Sequence, residues 1–357
     1  MADLPFSPQQ YVEQLLNWYG RQGRDLPWRQ SRDPYRIWLS EIMLQQTTVA
    51  TVRGYYQRFL DNFPTVERLA AAPLEAVIDL WAGLGYYSRA RNLHATARIL
   101  VEEYQGRFPA DPQQLQQLPG IGRSTAGAIA ALAFERRAAI LDGNVRRVLC
   151  RLFAFAQPPR STPAEKQLWA WADLLTPVER VHDYTQAIMD LGATVCTPRQ
   201  PQCPECPLDK LCQARRFGLE QELPIKQKTK QIPTRHELTL LVEDDRQLLV
   251  RRRLTDGFLG GLWEFPCIGL AAEEDAEAKL AQLKADLGVV GEAEPLGEVQ
   301  HVYSHFRLRS YIYHVRVEQH LLIADAVGCW VRQTELQQLA LHGAHKKVLG
   351  KLLNHGV

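Results

Sequence analysis

Two hydrophobic periods divide the chain. Up to about residue 225, apolar positions recur at helical spacing. Ser7 with Pro8 makes a cap and a first-turn residue, and Tyr11, Val12, Leu15, Leu16 and Tyr19 follow at helical intervals. Ile42, Val49, Val52, Tyr56 and Phe59 mark a stripe that predicts one long helix over residues 36–60. Further helices are predicted over 74–82, 88–104, 124–134, 145–155, 165–175 and 184–193, with short Pro- and Gly-bearing turns between them. Residues 223–235 change character: Leu223-Pro224, Lys226, Lys228, Lys230, Pro233 and Arg235 read as an exposed basic linker. Beyond it the pattern alternates. Strands are predicted over 237–242 and 247–252, with Asp244 and Asp245 at the turn, and Tyr311, Tyr313, Val315 and Val317 share one face of another. Residues 273–287 and 334–341 read as helical. The expected fold class is multidomain: an all-α domain over residues 1–222, then an α/β (α+β) domain over residues 236–357.

Composition narrows the class. A length of 357 residues calls for two domains or more, and 46% hydrophobic with 23% charged residues excludes a mainly disordered chain. No run of eighteen apolar residues predicts a membrane span. The N-terminus lacks a basic patch followed by an apolar stretch, so no secretory signal is expected. A net charge of +2 permits a nucleic-acid partner without demanding one.

Four of the seven cysteines fall within residues 196–212. Without an export signal, such clustering points to metal rather than disulfides. Cys196, Cys203, Cys206 and Cys212 have the spacing C-x6-C-x2-C-x5-C. Four thiolates suit tetrahedral zinc or an iron–sulfur cluster, and spacing does not separate the two. Four protein ligands leave no open position, so a structural role is the default.

Leu118-Pro119-Gly120-Ile121-Gly122 lies between two helix patterns. Its glycines allow a tight turn, and the helix beginning near Ser124 offers amides and a positive dipole end to an anion such as a DNA phosphate. A plain helix–turn–helix corner has the same pattern. Glu41 lies in an apolar helix among Trp38, Ile42 and Leu44, sharing a face with Gln45. A carboxyl there is either a solvated surface group or a desolvated one, protonated near neutrality as a general acid must be. Asp142, in Ile140-Leu141-Asp142-Gly143-Asn144-Val145, is placed as an N-cap, whose amide bonds would keep its pKa low. One protonated and one ionised carboxylate make the pair that glycosidic cleavage needs.

Together, the Ser40–Thr47 run, Gly83-Leu84-Gly85-Tyr86-Tyr87-Ser88-Arg89-Ala90, the hairpin at 118–122, Leu141–Val145 and the four cysteines resemble the helix–hairpin–helix DNA glycosylase superfamily, most closely its adenine-specific branch. The resemblance covers both halves of the chain. It implies a 4Fe-4S cluster on Cys196, Cys203, Cys206 and Cys212, and duplex DNA with the target base turned out of the stack. It implies that Glu41 protonates adenine N7 and then activates water, while Asp142 stabilises the oxocarbenium ion, with a transient covalent bond as one form of that role. Trp28, Arg29, Leu44 and Gln186 fall at adenine-pocket positions, Gln186 where the base edge is read. Gln46, Tyr86, Gly120, Gly122 and Ser124 fall at DNA-contacting positions, Gln46 and Tyr86 near 8-oxoguanine. In bifunctional relatives a lysine follows the hairpin. Ser124 stands there in this chain, and a hydroxyl cannot form a Schiff base, so a monofunctional enzyme is expected. The implied substrate is adenine opposite 8-oxoguanine or guanine. A monomer is expected, in the cytoplasm and, if bacterial, at the nucleoid.

Gly260-Gly261-Leu262-Trp263-Glu264-Phe265-Pro266 resembles the core of a Nudix domain. Where intact Nudix hydrolases hold magnesium, residues 281–288 keep only Asp286 as an acid, and magnesium needs several hard oxygen ligands. The domain therefore reads as a recognition module for 8-oxoguanine, with Tyr303-Ser304-His305 at the branch's Phe-Ser-His loop. Three other readings compete. An endonuclease III-like glycosylase with lyase activity is opposed by Ser124 and the long second domain. A silent DNA-damage binder leaves both carboxylates unexplained, and a Nudix hydrolase with a DNA-binding arm lacks the metal ligands.

Overall fold

The computed structural model describes residues 4–226, 231–255, 257–271, 273–317 and 328–354; Lys228 and Lys230 of the basic segment lie outside the described residues. The chain divides into two units, Met1–Ala72 with Arg91–Thr229, and Pro73–Ala90 with Lys230–Val357. The first twelve helices in chain order are α1 (Pro8–Gln22), α2 (Pro34–Leu44), α3 (Val49–Asn62), α4 (Val66–Ala71), α5 (Leu74–Trp81), α6 (Ser88–Tyr104), α7 (Pro112–Leu115), α8 (Arg123–Phe134), α9 (Gly143–Leu152), α10 (Thr162–Leu175), α11 (Val181–Asp190) and α12 (Gln213–Phe217). Of these, α5 and the first turn of α6 belong to the second unit. Among the described residues no helix is long and apolar enough to cross a membrane.

The long helix predicted over 36–60 is two helices. Gln46 takes a left-handed φ of 59°, and the Thr48 hydroxyl accepts the Thr51 amide at 3.3 Å, starting α3 afresh. The polar run Gln45-Gln46-Thr47-Thr48 is the cause, because short polar side chains compete for backbone donors and favour caps. In the first unit α2 packs on α8, and α1 and α8 pack on α11. Trp38, Leu39, Met43, Leu93, Ile129 and Leu149 are buried in its core. Gly127 brings α8 against the backbone that leads to Asp142: a Cβ there would lie 2.3 Å from the Ala139 carbonyl oxygen.

The second unit holds β1 (Thr234–Asp244), β2 (Gln247–Arg252), β3 (Trp263–Glu264), β4 (Cys267–Leu270), α13 (Ala276–Asp286), β5 (Glu294–Val302), β6 (Arg307–Arg316), β7 (Cys329–Arg332) and α14 (Gly343–Asn354). The strands described form one sheet in the order β3-β2-β1-β6-β5, with β4 also on β1 and β7 also on β2. β1 and β6 run parallel; the other pairs are antiparallel. Alternation decides the layers. Leu241 and Leu248 join Phe265, Ile312, Val348 and Leu352 of α14 on one face, while Leu240, Val242 and Leu249 join Leu283 and Leu287 on and beside α13 on the other. The helix predicted over 334–341 is only a short 3-10 turn, Leu336–Gln338. The backbone that follows is committed elsewhere: Trp263 donates to the Ala340 carbonyl at 3.1 Å, and His342 donates back to Trp263 at 3.3 Å.

Gly127→Ala should destabilise the first unit by about 1–3 kcal/mol, since the clash is with backbone that cannot swing aside. A urea unfolding curve checks this; an unchanged midpoint would mean that α8 does not press on residue 139.

Candidate active site

Glu41 sits on α2, whose neighbouring side chains Trp38, Ile42 and Met43 are buried. Burial, and next the charge of Asp142, push its carboxyl up to about 7, against a smaller opposing pull from Arg29. Among the described residues nothing donates a hydrogen bond to it. Asp142 caps α9: Oδ1 accepts the Val145 amide at 2.7 Å and Oδ2 the Asn144 side-chain amide at 3.4 Å. The cap is as expected from the sequence, but the low pKa is not. Burial outweighs the Val145 and Asn144 bonds and the nearby Arg147, so the Asp142 carboxyl is raised too. The charge of Asp142 is close enough to disfavour ionisation of Glu41. A single proton shared between them resides on Glu41, because Asp142 has the donors that solvate an anion.

Arg29 ends the 3-10 turn that begins at Pro27, and both of its terminal nitrogens bond Asp190, at 2.7 and 2.6 Å. Gln186, one turn before Asp190 on α11, is buried. Its Oε1 accepts the Tyr19 hydroxyl at 2.5 Å and its Nε2 meets His182 at 3.0 Å. Both ends of that amide are therefore engaged within the fold. Trp28 is buried edge-on against Tyr56 at 5.5 Å, a packing role in this state, and Leu44 is half-buried at the end of α2. Sequence reading missed Tyr19, His182 and Asp190. The polar stripe His182, Gln186, Asp190, four apart on a largely apolar helix, was the available signal.

The hairpin turns on Gly120, whose φ is 77° and where a Cβ would meet Asn92 at 2.9 Å. Leu118 and Ile121 are buried on either side, whereas Gly122 and Arg123 are exposed at the start of α8. Gln45, on the Glu41 face, donates to Thr125 at 3.2 Å. Ser124 has a structural task. Its hydroxyl accepts the Leu141 amide at 3.0 Å, which ties α8 to the residue before Asp142. Gln46 is exposed beside the α2–α3 break.

Cys196, Cys203, Cys206 and Cys212 line one cavity together with Arg151, Val195 and Pro201. Burial, and then the neighbouring sulfurs Cys196, Cys212 and Cys203, push the Cys206 thiol up to about 12 despite a helpful amide from Leu208. Such thiolates form only around a cation. A single zinc with ~2.3 Å bonds would need sulfurs ~3.8 Å apart. An iron–sulfur cluster takes the same four thiolates at wider separation, and this donor set suits either centre. Arg147 joins this loop to the Asp142 turn: it donates to the Cys196 carbonyl at 2.7 Å, to Gly192 at 2.7 Å and to Asn144 at 2.8 Å. Arg151, buried, donates to the Cys196 sulfur at 3.3 Å.

In the second unit Tyr86 is exposed with a φ of 47°, and Ser304 donates to its hydroxyl at 3.5 Å. Tyr303 turns inward. Its hydroxyl meets His342 at 3.1 Å and accepts the Ala344 amide at 3.4 Å, and its ring lies among Phe258, His301 and Phe306. Ser304 and His305 are exposed. Glu237, Cys267 and His345 offer donor atoms within 4.8 Å of one another. His345 Nδ1, however, accepts the Phe265 amide at 2.8 Å, which leaves the proton on Nε2 and no ring lone pair for a metal.

The chain thus joins a helical unit that carries two coupled carboxyls to a sheet unit flanked by helices on both faces. A model described as the HhH-GPD superfamily base excision DNA repair protein matches residues 39–173, and a NUDIX domain model matches residues 237–351. An adenine DNA glycosylase of Homo sapiens is 39% identical over 94% of this chain and 72% of its own length. One of Buchnera aphidicola subsp. Schizaphis graminum is 35% identical over 84% of this chain and 85% of its own. The solved structure of a thermostable thymine-DNA glycosylase, 32% identical, aligns with a TM-score of 0.54 over 59% of this chain and 97% of that one. The chain belongs to the adenine DNA glycosylase family. The fold class and the family resemblance expected from the sequence both hold.

A raised carboxyl weakens the fold once it ionises. Its contribution is unaffected below the unfolded pKa, near 4.5, and stability is lost as pH climbs through the folded value of about 7. Glu41→Gln, which cannot ionise, should therefore be more stable than the parent by roughly 2–3 kcal/mol at pH 8, with the gap closing near pH 4. Thermal unfolding across that range tests it; a pH-independent gap would argue against a desolvated acid.

Proposed function

We propose that this protein removes adenine standing opposite 8-oxoguanine or guanine in duplex DNA, by acid-assisted hydrolysis of the N-glycosidic bond without strand cleavage. The observation that carries the reading is the desolvated Glu41 carboxyl next to Asp142. Near neutrality Glu41 holds a proton and delivers it to the departing purine. Asp142, supplied with amide donors, is the anion beside the sugar cation. Once Glu41 has lost its proton, it can accept one from the attacking water. Ser124, engaged with the Leu141 amide and lacking an amine, offers no route to a Schiff base. The adenine would enter the wall that includes Arg29 and Gln186, whose amide must exchange Tyr19 or His182 for the base edge.

The exposed start of α8 after Gly120 and Gly122 suits a DNA phosphate, and Gln46 is free to reach the duplex. Cys196, Cys203, Cys206 and Cys212 would hold a 4Fe-4S cluster, which when bound braces the loop as a structural centre and takes no part in bond cleavage. The exposed Ser304 and His305, with Tyr86 alongside Ser304, form the candidate reader of the opposite base. Tyr303 supports that loop from beneath, because its ring is already packed.

Incubation with duplex DNA holding one 8-oxoguanine–adenine pair should release free adenine, with strand breaks only after alkali. Borohydride should trap no protein on DNA; a trapped adduct would favour the lyase reading instead. Glu41→Gln should lower release by ~10²–10⁴-fold or more with binding largely kept. Iron and sulfide analysis of the purified protein should give ~4 of each per chain, falling in Cys203→Ser; zinc in their place would refute the cluster assignment.

A further inference from the structure

One buried acid stands outside the pair that does the chemistry. Asp190 ends α11 with its side chain wholly inaccessible. Its Oδ1 accepts Arg24 Nε at 2.7 Å and Arg29 Nη2 at 2.6 Å; its Oδ2 accepts the Arg24 backbone amide at 3.0 Å and Arg29 Nη1 at 2.7 Å. One carboxylate thus faces two guanidiniums, and both of its oxygens are filled. Burial works against its charge, but Arg29 and then Arg24 outweigh burial and hold it ionised. Removing one member of such a buried group leaves an uncompensated charge behind. Outside the group, Arg29 is influenced first by Tyr19 of α1 and then by Glu41.

We propose that Asp190 is a positioning residue of this active site: it fixes the Arg29 guanidinium beside Glu41 and offsets the positive charge of Arg24 and Arg29, so that Glu41 stays an uncharged acid. The inference rests on the reading of Glu41 as the proton donor. The charged groups that act most strongly on Glu41 are Asp142, from the turn before α9, and Arg29, through which the charges of Asp190 and Arg24 are set. Around Arg29 and Tyr19 are Asp190, Asp183 and Arg24, while His182 bonds Asp183 at 3.3 Å and Gln186 at 3.0 Å. With Asp190 ionised, the two guanidiniums leave one net positive charge beside the pocket. With a neutral residue there they leave two, and a second positive charge favours the Glu41 carboxylate over its acid. A simple staple between α11 and the segment bearing Arg24 and Arg29 would not have this consequence.

The test is adenine release under single turnover, followed against pH. In the parent the rate should fall as pH rises through the Glu41 value, about 7. Asp190→Asn should move that fall to lower pH by about one unit, a ~10-fold loss at pH 8 and little loss below pH 6. Combining it with Arg24→Gln restores the net charge and should return the fall to its parental position, as should Asp190→Glu. Should Asp190→Asn fail to fold, Arg24→Gln alone remains informative: it keeps the Arg29–Asp190 pair and should shift the fall to higher pH. A loss of rate equal at every pH, with the fall unmoved in Asp190→Asn or in Arg24→Gln, would overturn the proposal and leave Asp190 a staple. A parent with no such fall, or with no adenine release, would overturn the Glu41 assignment itself before any variant is compared.

Discussion

The structure depends on holding a carboxyl where water cannot stabilise its charge. Moving Glu41 from 4.5 to about 7 represents, on the order of, 3 kcal/mol of differential stabilisation, a large share of what a domain has to spare. The burden falls on the packing of α2. Trp38, Leu39 and Met43 are buried and α2 packs on α8, while Glu41 on the same helix is only half-buried. Desolvation alone would raise any buried carboxyl. The distinguishing feature is a second buried carboxyl, Asp142, that unlike the first is given donors. Environment, not residue type, divides their roles.

Asp142 is held from three sides. Gly127 lets α8 press on the Ala139 backbone, Ser124 grips the Leu141 amide, and Val145 supplies the cap bond. Arg147 then carries the Asp142 turn across to Gly192 and to the Cys196 carbonyl. A centre held by the four cysteines would therefore stabilise more than its own loop. It would fix the far end of a bonded path whose near end is the Asp142 turn.

Much of this was legible because it is local. An aspartate before an apolar helix reads as a cap, cysteines within one loop read as ligands, and a glutamate amid Trp38 and Ile42 stands out at once. The misses share a cause. The stripe over 36–60 concealed a break because a period of apolar residues says nothing about the hydroxyl of Thr48. Asp142 looked acidic because cap bonds are visible in sequence and burial is not. Asp190 and Tyr19 went unseen because Asp190 meets Arg24 and Arg29 across more than 160 positions, and Tyr19 meets Gln186 likewise. Residues 340 and 341 read as helix because their bridge to Trp263 lies nearly 80 positions away.

The second unit shows how a fold can keep its layers while its chemistry changes. Glu264, in the most Nudix-like stretch of the sequence, is not available to a hard cation. Burial opposes its charge, but His342 and the guanidiniums of Arg253 and Arg251 hold it down at about 2. Magnesium would have to displace two guanidiniums, while His345 already takes the Phe265 amide on Nδ1. This network satisfies itself, and a satisfied network rigidifies rather than reacts. Its upper edge is the contact between His342 and the Tyr303 hydroxyl, directly beneath Ser304 and His305. The polar interior of this unit thus supports the base of the exposed loop that carries Ser304 and His305.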